Sequence, residues 1–198
     1  DFLDIGGEST RPGAEETPAE HEAARVLPVL RGIGAAPRMP PVSIDTRKAA
    51  VARAALAAGA DIVNDVSGFR FDPDMAATVA ESGAPVVLMH SIGTPETMQG
   101  LAPDAYDDVV LDVFDALEAT LDRAEAAGVP RRNILVDPGI GFGKTEAHSL
   151  ALVSRISLFH GLGCGLLLGV SRKGFIGRIA GVPNAADRGA GSAGIGLW

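Results

Sequence analysis

Residues 41–65 read PVSIDTRKAAVARAALAAGADIVND and contain one complete strand–helix–strand unit. The apolar segments Pro41–Ile44 and Asp61–Asn64 predict two strands. The alanine-rich segment Arg47–Ala58 between them predicts a helix, which Gly59 ends. This alternation recurs along the chain at about thirty residues per unit, and such repetition predicts a parallel sheet.

The rest of the chain follows the same alternation. Further strands are predicted at Phe2–Ile5, Pro85–Met89, Ile134–Val136 and Leu166–Val170. Further helices are predicted at Pro18–Gly32, Pro73–Ser82, Pro103–Ala127, Glu146–Phe159 and Phe175–Ile179, with a helical pattern again over Gly191–Trp198. Candidate helix caps are Thr17, Asp72 and Thr145 at the starts, and Gly83 and Gly128 at the ends.

A polar cluster follows nearly every predicted strand. The clusters are Gly6–Arg11, Asp45–Thr46, Asn64–Asp65, Met89–Ser91, Asp137–Gly139 and Ser171–Lys173. An open doubly wound sheet gathers its site at one switch point, whereas the strand-end loops of a TIM barrel ring one pocket. We therefore expect a TIM barrel. Because about six of its eight strands are visible, we expect residues 1–198 to form a single but incomplete domain that lacks the first and last strands.

Composition excludes several classes of function. The net charge of −8 argues against nucleic acid or an anionic membrane surface as a partner. The sequence has no apolar run long enough to span a membrane. The single cysteine, Cys164, cannot form an intrachain disulfide or a thiolate zinc site, and it fits a reducing cytoplasm.

The segment from Asp137 to Thr145, DPGIGFGKT, is rich in glycine but does not match a phosphate-binding loop. That loop requires glycine where Pro138 stands. Its glycines instead allow a tight turn and a close approach of backbone to a flat ligand. The Asp137 carboxylate could accept two parallel hydrogen bonds from an amidine-like edge, or it could simply cap the turn.

Three other segments have two possible interpretations. Asp45 and Asn64 end neighbouring strands and either serve a ligand or cap the following helices. Ser171–Lys173 either forms an anion contact or an ordinary solvated turn, and Gly6–Gly13 is either a mobile functional loop or a plain surface loop. Trp198 is expected in the core or at an interface.

Taken together, these motifs resemble one family. GGESTRPGA, SIDT, NDVSG, VLMH, DPGIGFGK and GVSRK, in this order, resemble bacterial dihydropteroate synthases over nearly the whole chain. The resemblance implies a cytoplasmic, homodimeric transferase of folate biosynthesis on a TIM barrel, and a sulfonamide target. It implies condensation of 6-hydroxymethyl-7,8-dihydropterin pyrophosphate with 4-aminobenzoate to 7,8-dihydropteroate and pyrophosphate, with Mg²⁺ as cofactor.

The resemblance also assigns roles to residues. The implied pterin-binding residues are Asp45, Asn64, Met89, Asp137, Phe142, Gly169 and Lys173, of which Asp45, Asp137 and Lys173 are also the implied catalytic residues. The implied 4-aminobenzoate and pyrophosphate loop contains Thr10, Arg11 and Pro12, and Ser171 is expected to meet the aminobenzoate carboxylate.

The chain departs from the family pattern in three places. The family's magnesium-binding asparagine and its Arg-x-His-Asp motif belong to the first and last strands, so no metal ligand is expected in this chain. Gly174 stands where some relatives carry serine.

Two alternative functions stay open, namely a methyltetrahydrofolate-binding methyltransferase domain and a non-catalytic pterin-binding paralogue or fragment. The Ser-Thr-Arg-Pro loop and the Ser-Arg-Lys segment argue against the methyltransferase.

Overall fold

The computed structural model describes residues 2–34 and 40–197, so Trp198 lies outside the described residues. Six strands form one sheet in the order β1 to β6, and every neighbouring pair is parallel. The strands are β1 Leu3–Gly6, β2 Val42–Asp45, β3 Ile62–Asp65, β4 Val86–Met89, β5 Ile134–Asp137 and β6 Gly165–Leu166. The order never reverses, as it would at the switch point of a doubly wound sheet, and it is the order of consecutive strands in a TIM barrel.

Helices connect the strands as the alternation predicts. They are α1 Ala19–Gly34, α2 Ala49–Ala57, α3 Met75–Ser82, α4 Met98–Leu101, α5 Val109–Ala126, α6 Glu146–Ser154, α7 Gly174–Ala180 and α8 Gly189–Gly196. Short 3₁₀ turns occupy Ala102–Asp104, Arg131–Asn133, Ile156–Leu162 and Ala185–Arg188. No helix within the described ranges is both long and apolar enough to cross a membrane.

The central strands and the helices that cover them form the core. Ile44, Val63, Leu88 and Val136 are fully buried, and they pack with the apolar faces of α2, α3 and α5. Burying each such side chain stabilises the fold by about 1.5–3 kcal/mol. The core thereby fixes the carboxyl ends of neighbouring strands against one another.

Three predicted elements differ from the structure. The predicted helix Pro103–Ala127 is divided, because Pro103 lies in a 3₁₀ turn and the Asp108 side chain caps α5 by accepting from Val110 and Leu111. The predicted helix Glu146–Phe159 ends at Ser154 and continues as a 3₁₀ turn. The predicted strand Leu166–Val170 is only Gly165–Leu166, since its neighbour β5 runs into Pro138, which has no N–H for a ladder.

Two of the predicted helix caps are confirmed and two are wrong. Thr145 caps α6 in a capping box with His148, and Gly83 ends α3 in the left-handed conformation. The prediction for Thr17 is wrong, because α1 begins at Ala19 and the Thr17 N–H donates to Glu8 instead. The prediction for Asp72 is also wrong, because the N-cap of α3 is Asp74. The Asp72 carboxylate instead accepts from the Ala49 N–H, 2.8 Å away, at the start of α2.

Candidate active site

The carboxyl ends of the strands place the expected site residues side by side. Asp45 of β2 is the register partner of Gly6 in β1 and of Asn64 in β3. Met89 of β4 is the register partner of Asp137 in β5. Parallel pairing therefore assembles these side chains along one edge of the sheet.

Asp45 and Asn64 do not cap helices, so that alternative is wrong for both. The N-cap of α2 is Lys48, and none of the described residues donates a hydrogen bond to the Asp45 carboxylate. Asn64 Nδ2 donates to Asp4 Oδ2 at 3.2 Å. Burial, reinforced by the nearby carboxylates of Asp4 and other residues, raises the pKa of Asp45 to about 7. Asp45 is therefore a carboxyl group that titrates near neutrality at the end of a strand.

The structure bears out one interpretation of Asp137, the cap of the glycine turn, and the ligand contact stays a prediction. Its Oδ1 accepts from the Gly139 N–H at 2.7 Å, so one oxygen caps the glycine turn. No hydrogen bond from the described residues reaches Oδ2, which lies 3.4 Å from the point where a Cβ on Gly169 would stand. Burial raises the pKa of Asp137, although the Gly139 N–H and the charges of Lys173 and Lys144 oppose this. A buried carboxylate thus has one oxygen left for a ligand.

Lys173 and Phe142 form the adjoining wall. Lys173 Nζ lies 4.2 Å from the centroid of the Phe142 ring, within cation–π range. Burial lowers the pKa of Lys173, and the negative charge of Asp137 opposes that change. Ser171 and Arg172 before it are exposed, and Arg172 adopts a positive φ of 50°. The Ser171–Lys173 segment is therefore more than a solvated turn, since its lysine is directed inward.

Two cavities open at this edge of the sheet. The larger, about 1310 Å³, is lined by Asp45, Phe142, Ser171, Lys173 and the loop residues Thr10, Arg11 and Pro12. The smaller, about 180 Å³, is lined by Met89 and shares Thr10 and Phe142 with the larger one. Most of the expected site residues therefore line these two cavities. Three described residues, Asn64, Asp137 and Gly169, line neither. Asn64 is the register partner of Asp45, Asp137 senses the charge of Lys173, and Gly169 lies beside Asp137 Oδ2.

Sequence reasoning missed a buried pair beside this cleft, formed by Lys144 and His90. Lys144 Nζ lies 3.0 Å from His90 Nδ1, and it donates to the carbonyl oxygens of His90 and Phe142. Burial lowers the pKa of Lys144 to about 7 and, together with the Lys144 charge, that of His90 to about 2. The available signal was a lysine that directly follows three closely spaced glycines.

A buried ionic network under the first loop was also missed. Glu8 accepts from Arg47 and, at 2.9 Å, from Lys48, while Lys48 also contacts Glu22 at 2.8 Å. Burial alone would raise the pKa of Glu8, but hydrogen bonds from Lys48, Thr17 and Arg47 lower it. The signal was the pair Arg47-Lys48 at a helix start, where the helix dipole disfavours cations.

The described residues contain no group of three or more His, Cys, Asp or Glu side chains placed to hold a metal ion. Mg²⁺ at this edge of the sheet would therefore need substrate phosphate oxygens and water among its ligands, as is usual for this ion.

Known proteins match this chain over most of its length. The family model described as "Pterin binding enzyme" matches residues 1–198. A probable bifunctional folylpolyglutamate synthase/dihydropteroate synthase of Haloferax volcanii is 48% identical over 96% of this chain and 24% of its own length. A dihydropteroate synthase of Bacillus subtilis is 45% identical over 92% of this chain and 60% of its own length. The chain thus spans less than two thirds of both relatives.

A solved structure gives the same result for the fold. Dihydropteroate synthase of Xanthomonas albilineans with 4-aminobenzoic acid is similar with a TM-score of 0.91 at 43% identity. The match covers 100% of this chain and 68% of that one. Together with the sequential parallel sheet, it confirms the expected TIM-barrel architecture with six strands present.

Proposed function

The chain belongs to the family of pterin-binding enzymes, and from this membership and the strand-end site we propose that it forms most of a dihydropteroate synthase. The proposed reaction joins 6-hydroxymethyl-7,8-dihydropterin pyrophosphate to 4-aminobenzoate, giving 7,8-dihydropteroate and pyrophosphate in folate biosynthesis. The observation that carries the proposal is a buried carboxylate, Asp137, with one uncommitted oxygen beside Lys173. A flat ligand with an amidine-like edge matches that arrangement.

Pterin recognition follows from this geometry. Asp137 Oδ2 would accept from the amino-pyrimidine edge of the ring, and Gly169 leaves room there because a side chain would approach that oxygen. Asn64 would take a second polar contact, and Lys173 would donate to the ring carbonyl. Met89 and Phe142, which both line the smaller cavity, would pack on the ring faces.

The second substrate would enter from the large cavity. Thr10, Arg11 and Pro12 line this cavity together with Ser171 and Lys173. In the proposal they close over 4-aminobenzoate, while Ser171 meets its carboxylate. Arg11 would also assist with the pyrophosphate. The Ser-Thr-Arg-Pro loop at this position favours the synthase over a methyltetrahydrofolate-binding methyltransferase, which has no aminobenzoate to hold.

The chemistry needs electrostatic stabilisation rather than a strong base. The amine nitrogen forms a bond to the pterin methylene carbon, the C–O bond to pyrophosphate breaks, and the amine releases a proton to water. Positive charge develops on the pterin as the C–O bond breaks. Asp45 in its ionised form, and Asp137, would stabilise that charge where it develops. Closure of the loop would exclude water, which would otherwise react with the cation.

We also propose a cofactor, an oligomeric state and a cellular location. Mg²⁺ is proposed as cofactor, although the described residues contain no cluster of three or more His, Cys, Asp or Glu side chains for it. A homodimer is proposed from the family alone. A cytoplasmic location is proposed because a single half-buried cysteine fits a reducing compartment.

Asp137→Asn in the full-length protein tests the assignment. The change keeps the shape of the side chain but removes the charge, so kcat/KM for dihydropteroate formation should fall by about 10²–10³. Asp115→Asn, on the exposed face of α5, serves as the matched control and should retain activity. Wild-type rates in the Asp137 variant would refute its assignment as the pterin anchor. Methyl transfer from a methylated folate, without dihydropteroate formation, would favour the methyltransferase.

A further inference from the structure

The loops that follow β4 and β5 are pressed together without room for side chains. A Cβ added to Gly139 would lie 1.9 Å from the His90 carbonyl oxygen, and one on Gly143 would lie 2.2 Å from Ile92 Cγ1. The His90 N–H also donates to the Asp137 carbonyl at 2.9 Å. The two loops therefore behave as one unit, and that unit carries Met89, Asp137 and Phe142.

Lys144 lies inside this unit and bonds to both loops. It is 3% exposed, and its Nζ lies 3.0 Å from His90 Nδ1, 3.3 Å from the His90 carbonyl and 3.1 Å from the Phe142 carbonyl. An ammonium group has three N–H donors, and these are three acceptors. The geometry matches a charged Lys144 with the proton of neutral His90 on Nε2.

A charge in this position is not explained by stability alone. Burying an ammonium carries a large desolvation cost, and an apolar side chain of similar volume often stabilises a fold as well or better. Burial indeed lowers the pKa of Lys144 to about 7, while the negative charge of Asp137 favours the ammonium. A buried lysine bonded to both loops beside the cleft therefore points to a role in that cleft.

We propose that Lys144, held by His90, is a positioning residue for the pterin. Its ammonium fixes the Phe142 carbonyl, and so the Phe142 ring, against the end of β4 that carries Met89. It also supplies positive potential to the Asp137 carboxylate. Although Lys144 borders the large cavity, its ammonium is committed to acceptors of the two loops, so it acts through these residues. This inference rests on the proposed pterin-binding function and deepens it.

The test compares four variants of the full-length protein. Lys144→Met removes all three hydrogen bonds and the charge. His90→Leu removes one acceptor, whereas His90→Asn offers a side-chain oxygen in its place. Thr120→Val, a buried hydroxyl that bonds Ala116 and Arg123 in α5, is the control for destabilisation without contact to the two loops. Calorimetry gives the Kd of a pterin, steady-state kinetics gives KM and kcat, and thermal unfolding gives Tm.

Lys144→Met should raise the Kd and KM for the pterin about 10-fold or more and change kcat less, because the positioned groups hold the ring in both ground and transition states. His90→Leu should weaken pterin binding about 3-fold or more, with His90→Asn restoring it. Thr120→Val should lower Tm but leave the pterin Kd unchanged. The KM for 4-aminobenzoate should be unaffected in all four.

Unchanged pterin Kd in a folded Lys144→Met protein would overturn the positioning role. Should that variant fail to fold, the two His90 variants decide, since equal pterin affinity in both would overturn it as well. Failure of the proposed function itself has a different signature. In that case neither the wild-type protein nor any of the variants would bind the pterin.

Discussion

The floor of the site and the loop that faces it are built in opposite ways. The floor, defined here as residues 137–144, has buried residues over most of its length and no space beside Gly139. The facing loop, residues 7–17, exposes Arg11, Pro12 and Gly13, and a Cβ on Gly13 would meet nothing within 4 Å. The floor is suited to hold a rigid ligand in one geometry, and the loop is suited to move.

The loop is nevertheless fixed at its base. The Glu8 side chain is 2% exposed and is held by Arg47 and Lys48, while Lys48 also reaches the buried Glu22. A loop with a fixed base and an exposed tip can close without losing its position on the barrel. The site therefore has three parts, a rigid floor, an anchored base and an exposed tip whose Gly13 N–H donates to the Pro95 carbonyl at 2.9 Å, and each part can be tested separately.

The largest effect is expected at the anchored base. Lys48→Met would leave the carboxylates of Glu8 and Glu22 buried with fewer partners, so the free energy of unfolding should fall by about 3–5 kcal/mol. Urea denaturation of the full-length protein measures it. Arg178→Met breaks a pair of the same 2.8 Å length, but Arg178 and Glu146 are 61% and 39% exposed, so about 0–1 kcal/mol is expected there. Equal losses would show that the base is not a buried anchor.

The floor should be the next most sensitive region. Gly139 has a φ of 69°, and its missing side chain would strike the His90 carbonyl, so Gly139→Ala should cost about 2–5 kcal/mol. Gly13→Ala is the matched control in the facing loop, because Gly13 has a φ of 79° but open space around it. About 1 kcal/mol is expected for Gly13→Ala, from backbone strain alone. Denaturation of both variants separates the clash from the strain, and similar losses would contradict a closely packed floor.

Much of the architecture could be predicted from the sequence. Each strand is a short apolar run that ends in a polar cluster, and each connection carries a helical pattern, so element order and parallel pairing follow from local signals. The ends of elements were less predictable. The short β6 depends on Pro138 in its neighbour, and the start of α5 depends on the Asp108 cap. Such ends are decided by tertiary partners rather than by the segment itself.

The candidate site divides in the same way. Asp45, Asn64 and Asp137 were recognisable because polar side chains at the ends of buried strands need partners. The Glu8–Lys48 and His90–Lys144 contacts join residues 40 and 54 positions apart. The lysine after three glycines and the Arg47-Lys48 pair at a helix start mark these positions as unusual. Only the folded arrangement shows that the side chains are buried and which residues they pair with.

A smaller effect on stability, which appears only when pH is varied, is expected at Asp45, between the floor and the facing loop. Its pKa rises from 3.8 to about 7 on folding, because it is buried near Asp4, Glu22, Asp65 and Glu8. The folded state then binds more protons than the unfolded state in this window, so this group's contribution to stability falls as pH rises from about 4 to 7. The full shift would be worth about 4 kcal/mol, but the side chain is only partly buried, so Asp45→Asn should be on the order of 1–2 kcal/mol more stable than wild type above pH 7 and equal to it near pH 4. A constant difference at all pH values would contradict this titration.

The smallest effect on stability is expected at Arg11, in the exposed tip of the facing loop. Arg11→Ala removes an exposed side chain that lines the mouth of the large cavity, so the free energy of unfolding should change by less than about 0.5 kcal/mol. The KM for 4-aminobenzoate should nevertheless rise about 10-fold, whereas the Kd of a pterin without pyrophosphate should not change, because the floor alone holds the pterin ring. Arg31→Ala, exposed in the last turn of α1, is the control and should alter neither. An equal rise in the pterin Kd would mean that the tip also shapes the pterin site, and the floor and the loop would then have to act together.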